Sequence, residues 1–209
     1  MTKAENIRLM VVDDHPVVCS GLAAIISTQA DMTVVAQAAN GNEAVDMFRK
    51  HQPDITLMDL RMPKMSGVEA IRAIRQFSKH GNFIVLTTYQ GDADIQKALT
   101  AGALAYLLKG MPHGELLKAI RSVHQGLRYL PEEVREALAN RPPGPSLSSR
   151  EMDILRLIYS GLSNRQIADA LGITEGTVKW HVNIILSRLN VTDRTQAVVA
   201  ALHRGIMEL

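Results

Sequence analysis

Three acids, a hydroxyl and a lysine stand where apolar runs end. Asp59 follows Ile55-Thr56-Leu57-Met58 and precedes the loop residues Arg61-Met62-Pro63-Lys64. Asp13-Asp14 follow Leu9-Met10-Val11-Val12, Thr87-Thr88 follow Phe83-Ile84-Val85-Leu86, and Lys109 follows Tyr106-Leu107-Leu108. A carboxylate at the tip of a buried strand is poorly placed for stability and well placed for chemistry. Hard divalent cations such as Mg²⁺ prefer carboxylate oxygens, retain several waters and bind together with phosphate. Asp13, Asp14 and Asp59 would supply those oxygens. Lys109 would neutralise charge on a phosphoryl group, and the Thr87 hydroxyl would hydrogen-bond one of its oxygens. The plainer alternative has each acid facing solvent or capping a helix, with Asp14 as the N-cap of the helix that follows.

These residues meet only if their strands lie side by side and run the same way. Strands are expected at 7–13, 32–38, 54–59, 82–88 and 105–109, alternating with helical patterns at 15–28, 41–51, 66–78, 91–102 and 113–125. That alternation predicts βαβ units and an α/β fold with a five-stranded, parallel, doubly wound sheet. The runs at 7–13, 54–59 and 82–88 are almost wholly apolar, as strands covered by helices on both faces must be. The C-terminal rim of such a sheet is where open α/β folds bind ligands.

The pattern Val12-Asp13-Asp14-His15, Leu57-Met58-Asp59-Leu60-Arg61-Met62-Pro63, Gly67, Leu86-Thr87 and Tyr106-Leu107-Leu108-Lys109 resembles the receiver domain of two-component response regulators. The resemblance covers about 1–127. It implies phosphoryl transfer from a sensor histidine kinase to Asp59, the nucleophile, giving an aspartyl phosphate. It further implies that Asp13, Asp14 and Asp59 hold Mg²⁺ with the backbone carbonyl of Arg61, and that Thr87 and Tyr106 form a switch pair. A half-buried strand aromatic is the alternative for Tyr106. Many receivers carry proline after the lysine, whereas this chain has Gly110, which suggests a flexible loop. Arg61 and Tyr89 flank the site two residues past Asp59 and Thr87, where side chains can shield a phosphoryl group from water.

Residues 128–146 read as a linker with a short helix near 131–139, ending in Arg141-Pro142-Pro143-Gly144-Pro145, which cannot be helix. From 147 to 209 the strand signals stop, and four helical patterns follow at about 149–160, 164–171, 175–189 and 193–204. Ser148 with Glu151 fits a capping box, and Gly161 and Gly172 are helix stops. Gly172-Ile173-Thr174 alone separates two of the helices, a helix-turn-helix spacing. At about 100° per residue, Val178, Val182, Ile185, Leu186 and Leu189 share one side of the helix at 175–189. Lys179, Trp180 and Asn183 share the other, so the sole tryptophan of the chain points away from the core. It would touch a thymine methyl or a sugar, beside a lysine suited to guanine and an asparagine suited to adenine. The alternative is packing against a neighbouring domain or protomer.

This second region resembles the LuxR-type helix-turn-helix of the NarL/FixJ family through Leu147-Ser148-Ser149-Arg150-Glu151, Gly161-Leu162-Ser163-Asn164-Arg165-Gln166-Ile167-Ala168, Leu171-Gly172-Ile173, Thr177-Val178-Lys179-Trp180-His181-Val182 and Arg194-Thr195-Gln196-Ala197. Smaller residues are usual in that family where Trp180 stands. The resemblance implies base contacts from Lys179, Trp180 and Asn183, and phosphate contacts from Asn164, Thr177, His181 and Arg188. Glu151 would hold the fold with Arg165 or Arg194. The helix at 193–204 would carry a dimer seam through Ala197, Val198 and Ala201, or else pack within its own domain.

Net charge is +2, with 13 basic against 12 acidic residues in 1–127 and 7 against 6 in 147–209, so a DNA surface must come from arrangement and not from total charge. No stretch of about 18 apolar residues offers a membrane span. No signal-peptide pattern leads the chain, and the single cysteine, Cys19, excludes an internal disulfide and reads as a buried thiol. These features point to the cytoplasm. The sequence reads as a transcription factor controlled by phosphorylation, with a sensor kinase, double-stranded promoter DNA, a second copy of itself when phosphorylated and RNA polymerase as candidate partners, and no membrane. Two rivals remain: a Mg²⁺-dependent phosphatase-like hydrolase, which lacks a Walker-type phosphate loop here, and a small-molecule sensor that works without phosphate.

Overall fold

The computed structural model describes residues 6–88, 91–139 and 147–207. The chain divides into two compact units, one of Met1–Tyr89 with Ile95–Glu136, the other of Gln90–Asp94 with Ala137–Leu209. Tyr89 and the proline-rich stretch 140–146 lie outside the described residues.

In the first unit the strands β1 (Ile7–Val12), β2 (Met32–Ala38), β3 (Ile55–Met58), β4 (Asn82–Thr87) and β5 (Ala105–Leu108) form one parallel sheet in the order β2-β1-β3-β4-β5. Four of the strands, β1, β3, β4 and β5, end one residue earlier than expected, so that Asp13, Asp59, Thr88 and Lys109 follow the strand ends. The helices α1 (Pro16–Ser27), α2 (Gly41–His51), α3 (Gly67–Phe77), α4 (Asp92–Ala101) and α5 (His113–His124) alternate with them. Strand residues alternate between two buried faces. Leu9, Val11, Leu57, Ile84 and Leu107 pack with Leu22 and Ile26 of α1 and Leu116 and Ile120 of α5. On the opposite face, Phe48 of α2 stacks on Phe83 of β4 with ring centroids 6.1 Å apart.

Gly67 opens α3 where a Cβ would stand 2.0 Å from the Asp59 carbonyl oxygen. Only glycine allows this approach, and the Gly67 amide donates to the Leu60 carbonyl at 2.9 Å. The helix start therefore braces the strand tip that carries Asp59, with Ser66 and Glu69 closing a capping box.

The stretch after α5 is anchored. Tyr129 pairs in parallel with Ala105 and its amide donates to the Leu104 carbonyl. Its hydroxyl donates to Glu115. The short helix α6 (Glu132–Ala139) buries Val134.

The second unit holds α7 (Ser149–Tyr159), α8 (Asn164–Leu171), α9 (Glu175–Leu189) and α10 (Arg194–His203) around Ile154, Leu155, Ile167, Val178, Ile185, Leu189, Ala197 and Ala201. Gly172 caps α8 in the left-handed conformation at φ 64°. Thr174 then caps α9 by accepting from the Thr177 amide at 3.1 Å. Ala197 and Ala201 are 1% and 0% exposed within this core, so they cannot form an intermolecular seam. Small residues on α10 serve packing inside the unit, and Val198 is half-buried beside them.

Candidate phosphoacceptor site and DNA-recognition face

The sheet order places the C-terminal ends of β1 and β3 side by side, at the point where the chain reverses its direction of winding. Asp13 leaves β1 and Asp59 leaves β3, and the Asp59 amide donates to the Val12 carbonyl at 2.9 Å. Lys109 leaves β5 and reaches across to both acids. Its Nζ lies 2.7 Å from Asp13 Oδ2 and 2.6 Å from Asp59 Oδ2. Asp13 and Asp59 are only 2% and 5% exposed, and these charges are held together by mutual pairing. Burial works against the Lys109 ammonium, but hydrogen bonds and charge from Asp13 and Asp59 prevail and hold its pKa above the usual lysine value. The other Asp59 oxygen, Oδ1, accepts from the Leu60 amide at 2.7 Å.

Asp14 is partly exposed and does not cap α1. The N-cap is His15, whose side chain makes no capping hydrogen bond. Arg61 stays at the rim, its amide 3.5 Å from Asp59 Oδ1. Thr87 ends β4 fully buried, and its hydroxyl has no hydrogen-bond partner among the described residues. Val85 registers with Tyr106, so Thr87, two residues on, points to the same face of the sheet as Tyr106. Tyr106 is 0% exposed, not half-buried. Gly110 sits at φ 99°, an angle proline cannot take, which accounts for glycine at this position. Cys19 is buried and its Sγ donates to the Asp13 carbonyl at 3.4 Å. Burial first, then the Asp13 charge, pushes the thiol up and keeps it inert. A cleft of about 280 Å³ opens beside Asp13 and Asp14.

The donor set suits a hard cation: ligand atoms of Asp13, Asp14 and Asp59 all lie within 4.8 Å of one another. His15 contributes a fourth atom to that group. Sequence reasoning passed over it, although its place directly after Asp13-Asp14 was the available signal.

On α9, Val178, Ile185 and Leu189 face inward, while Lys179, Trp180 and Asn183 are exposed, Trp180 by 60%. Lys179 Nζ pairs with Glu175 at 2.8 Å one turn earlier, an exposed contact that is readily exchanged. Trp180 stands edge-on to the His181 ring, 4.8 Å between centroids. Thr177, His181 and Asn164 are half-buried beside this face. His181 Nδ1 and Asn164 Oδ1 are enclosed without hydrogen-bond partners among the described residues.

Arg188 has a partner inside its own unit. Its guanidinium donates to Glu151, which is 3% exposed and also accepts from the Ser148 amide at 2.8 Å. Glu151 thus closes the α7 capping box and, through Arg188, ties α7 to α9, while the Arg188 side chain stays 28% exposed. Neither Arg165 nor Arg194 is the partner; Arg194 donates to the Leu162 carbonyl at 2.6 Å.

The model for "Response regulator receiver domain" matches residues 9–121, and that for "Bacterial regulatory proteins, luxR family" matches 145–201. The transcriptional regulatory protein LiaR of Bacillus subtilis is 41% identical over 207 residues, spanning 95% of this chain and 98% of the relative. The crystal structure of ChrA, a response regulator in a haem-sensing two-component system, is 40% identical, with a TM-score of 0.59 over 98% of this chain and 100% of that one. A complex of the response regulator RcsB with DNA has a TM-score of 0.74 over 95% of this chain and 99% of that one; at 23% identity it shows the fold alone. Among the described residues no helix is long and apolar enough to cross a membrane.

Proposed function

Since the chain belongs to the two-component response regulators that join a receiver domain to a LuxR-type DNA-binding domain, transcription regulators and not enzymes, we propose that Asp59 is its phosphoacceptor and that phosphorylation controls promoter binding. A sensor histidine kinase is the donor. The phosphorus–nitrogen bond of its phosphohistidine breaks as a phosphorus–oxygen bond to the Asp59 carboxylate forms. Asp13, Asp14, Asp59 and the Arg61 carbonyl would hold Mg²⁺. That ion, when bound, neutralises charge on the transferring group. Lys109 keeps its charge and turns its Nζ to the phosphoryl oxygens, and the Thr87 hydroxyl donates to another. Movement of Thr87 on the face it shares with Tyr106 is the first step of the switch.

The observation that carries this reading is the meeting of Asp13, Asp59 and Lys109 at 2.6 and 2.7 Å from three separate strand tips. The output is a set of base contacts from Lys179, Trp180 and Asn183, with Asn164, Thr177 and His181 on phosphates. The phosphorylated form pairs with a second copy on two half-sites about one DNA turn apart. RNA polymerase is a further candidate partner, the domain limits 1–127, 128–146 and 147–209 frame these roles, and the cytoplasm is the proposed site of action.

Incubation with acetyl phosphate and Mg²⁺ tests the assignment by intact-protein mass. One phosphoryl group adds to the wild-type chain and none to Asp59→Asn. Equal labelling of the variant would remove Asp59 from the mechanism.

A further inference from the structure

The His15 ring has no role in the proposal above, yet its place is well defined. It does not cap α1. Its Nδ1 lies 3.1 Å from Asp13 Oδ1 and 2.9 Å from Asp14 Oδ1, and its amide donates to Asp13 Oδ1 at 3.0 Å. Asp13 therefore divides its oxygens, Oδ1 toward His15 and Oδ2 toward Lys109. Asp14 Oδ1 is shielded from solvent, and its close polar neighbour is the His15 ring, at 2.9 Å. One ligand atom from each of Asp13, Asp14, His15 and Asp59 falls within 4.8 Å of the others.

Neighbouring ligands of an octahedral cation at ~2.1 Å lie ~3.0 Å apart. The two spacings from His15 Nδ1 to the carboxylate oxygens, 2.9 and 3.1 Å, are hydrogen-bond and ion-pair distances while Nδ1 carries a proton, and they are also compatible with that value once Nδ1 gives the proton up. Mg²⁺ gains little from an imidazole nitrogen, because it prefers oxygen ligands and keeps its waters. First-row transition cations accept imidazole readily, and Co²⁺ stands above Mn²⁺ in affinity for such mixed sites.

We infer that His15 is a fourth protein ligand at the carboxylate site and biases that site from Mg²⁺ toward divalent transition cations. The inference rests on the reading of Asp13, Asp14 and Asp59 as cation ligands. The His15 side chain is 66% exposed, so it can be replaced without opening the core.

Isothermal titration of the full chain with Mg²⁺ and, separately, Co²⁺ tests this on wild type, His15→Ala and Asp13→Asn. His15→Ala lowers Co²⁺ affinity about tenfold and leaves Mg²⁺ affinity unchanged, while Asp13→Asn weakens both. An unchanged Co²⁺-to-Mg²⁺ ratio in His15→Ala, with both ions still dependent on Asp13, overturns the role of His15 and leaves the carboxylate site standing. Co²⁺ binding that survives Asp13→Asn while Mg²⁺ binding is lost puts Co²⁺ at other histidines and also overturns it. Wild-type binding of both ions by Asp13→Asn overturns the carboxylate site and this inference with it.

Discussion

The first unit buries its reactive groups, and the second displays them. Asp13, Asp59 and Lys109 sit at strand tips, almost shut off from solvent and within hydrogen-bonding distance. Lys179, Trp180 and Asn183 stand on an open helix face. The second unit has a buried acid as well, Glu151, but it serves structure by holding Arg188 and the start of α7. Bond-making needs fixed groups in a medium of low dielectric constant, where charge has its greatest effect. A surface for DNA must stay solvated until phosphates supply the opposite charge. The same residue types thus take different roles according to burial and to what their partners leave unsatisfied.

That contrast can be broken at several points. The largest loss is expected where a buried ion pair is purely structural. Glu151→Ala removes part of a helix cap and the ion pair that ties α7 to α9, costing about 3 kcal/mol. Urea unfolding followed by Trp180 fluorescence reads this out, since Trp180 is the only tryptophan in the chain. A cost under about 0.5 kcal/mol would show that the pair contributes nothing to the second unit. On the open face, Lys179→Ala relaxes specificity by ~1–3 kcal/mol at one base pair. Competition binding across single-base operator variants measures it, and equal weakening on every sequence would make Lys179 a phosphate contact.

The smallest effect is expected from an exposed pair in the first unit. Arg121 Nε donates to Asp31 Oδ2 at 2.9 Å and Nη2 to Oδ1 at 3.0 Å, both side chains well solvated. Arg121→Ala costs less than ~1 kcal/mol. The Arg121 hydrogen bond holds the Asp31 carboxyl below its ordinary value. Its contribution is therefore present above the unfolded carboxyl pKa of about 3.9 and lost as pH falls through the lowered folded value. Wild type and Arg121→Ala converge in thermal stability in strong acid; a gap that widened there would reverse the sign.

Much of this was legible in the chain because period and punctuation are local. Gly172 ends α8 and Thr174 opens α9, which spans the expected Glu175–Leu189. Strand tips announced Asp13, Asp59 and Lys109, because the apolar runs stop where polar groups find partners at the sheet's rim. Partners across space were not legible. Helix periodicity tells that Arg188 lies near the α9 core, but the angle at which α7 crosses α9 decides that it meets Glu151. Small residues such as Ala197 and Ala201 suit a dimer seam and a tight core equally well, and only burial separates the two. The placement of the His15 ring beside two carboxylates depends on the turn after β1, which no pattern in the residues fixes.

The central claim is that Asp59 is the input and the α9 face the output. The direct test is the affinity of the full chain for a DNA fragment selected by footprinting, at physiological salt, with and without acetyl phosphate. Wild-type affinity rises about tenfold or more on phosphorylation, within the usual range of allosteric coupling, and Asp59→Asn shows no rise. Equal affinity of the phosphorylated and unphosphorylated wild-type chain would contradict the account.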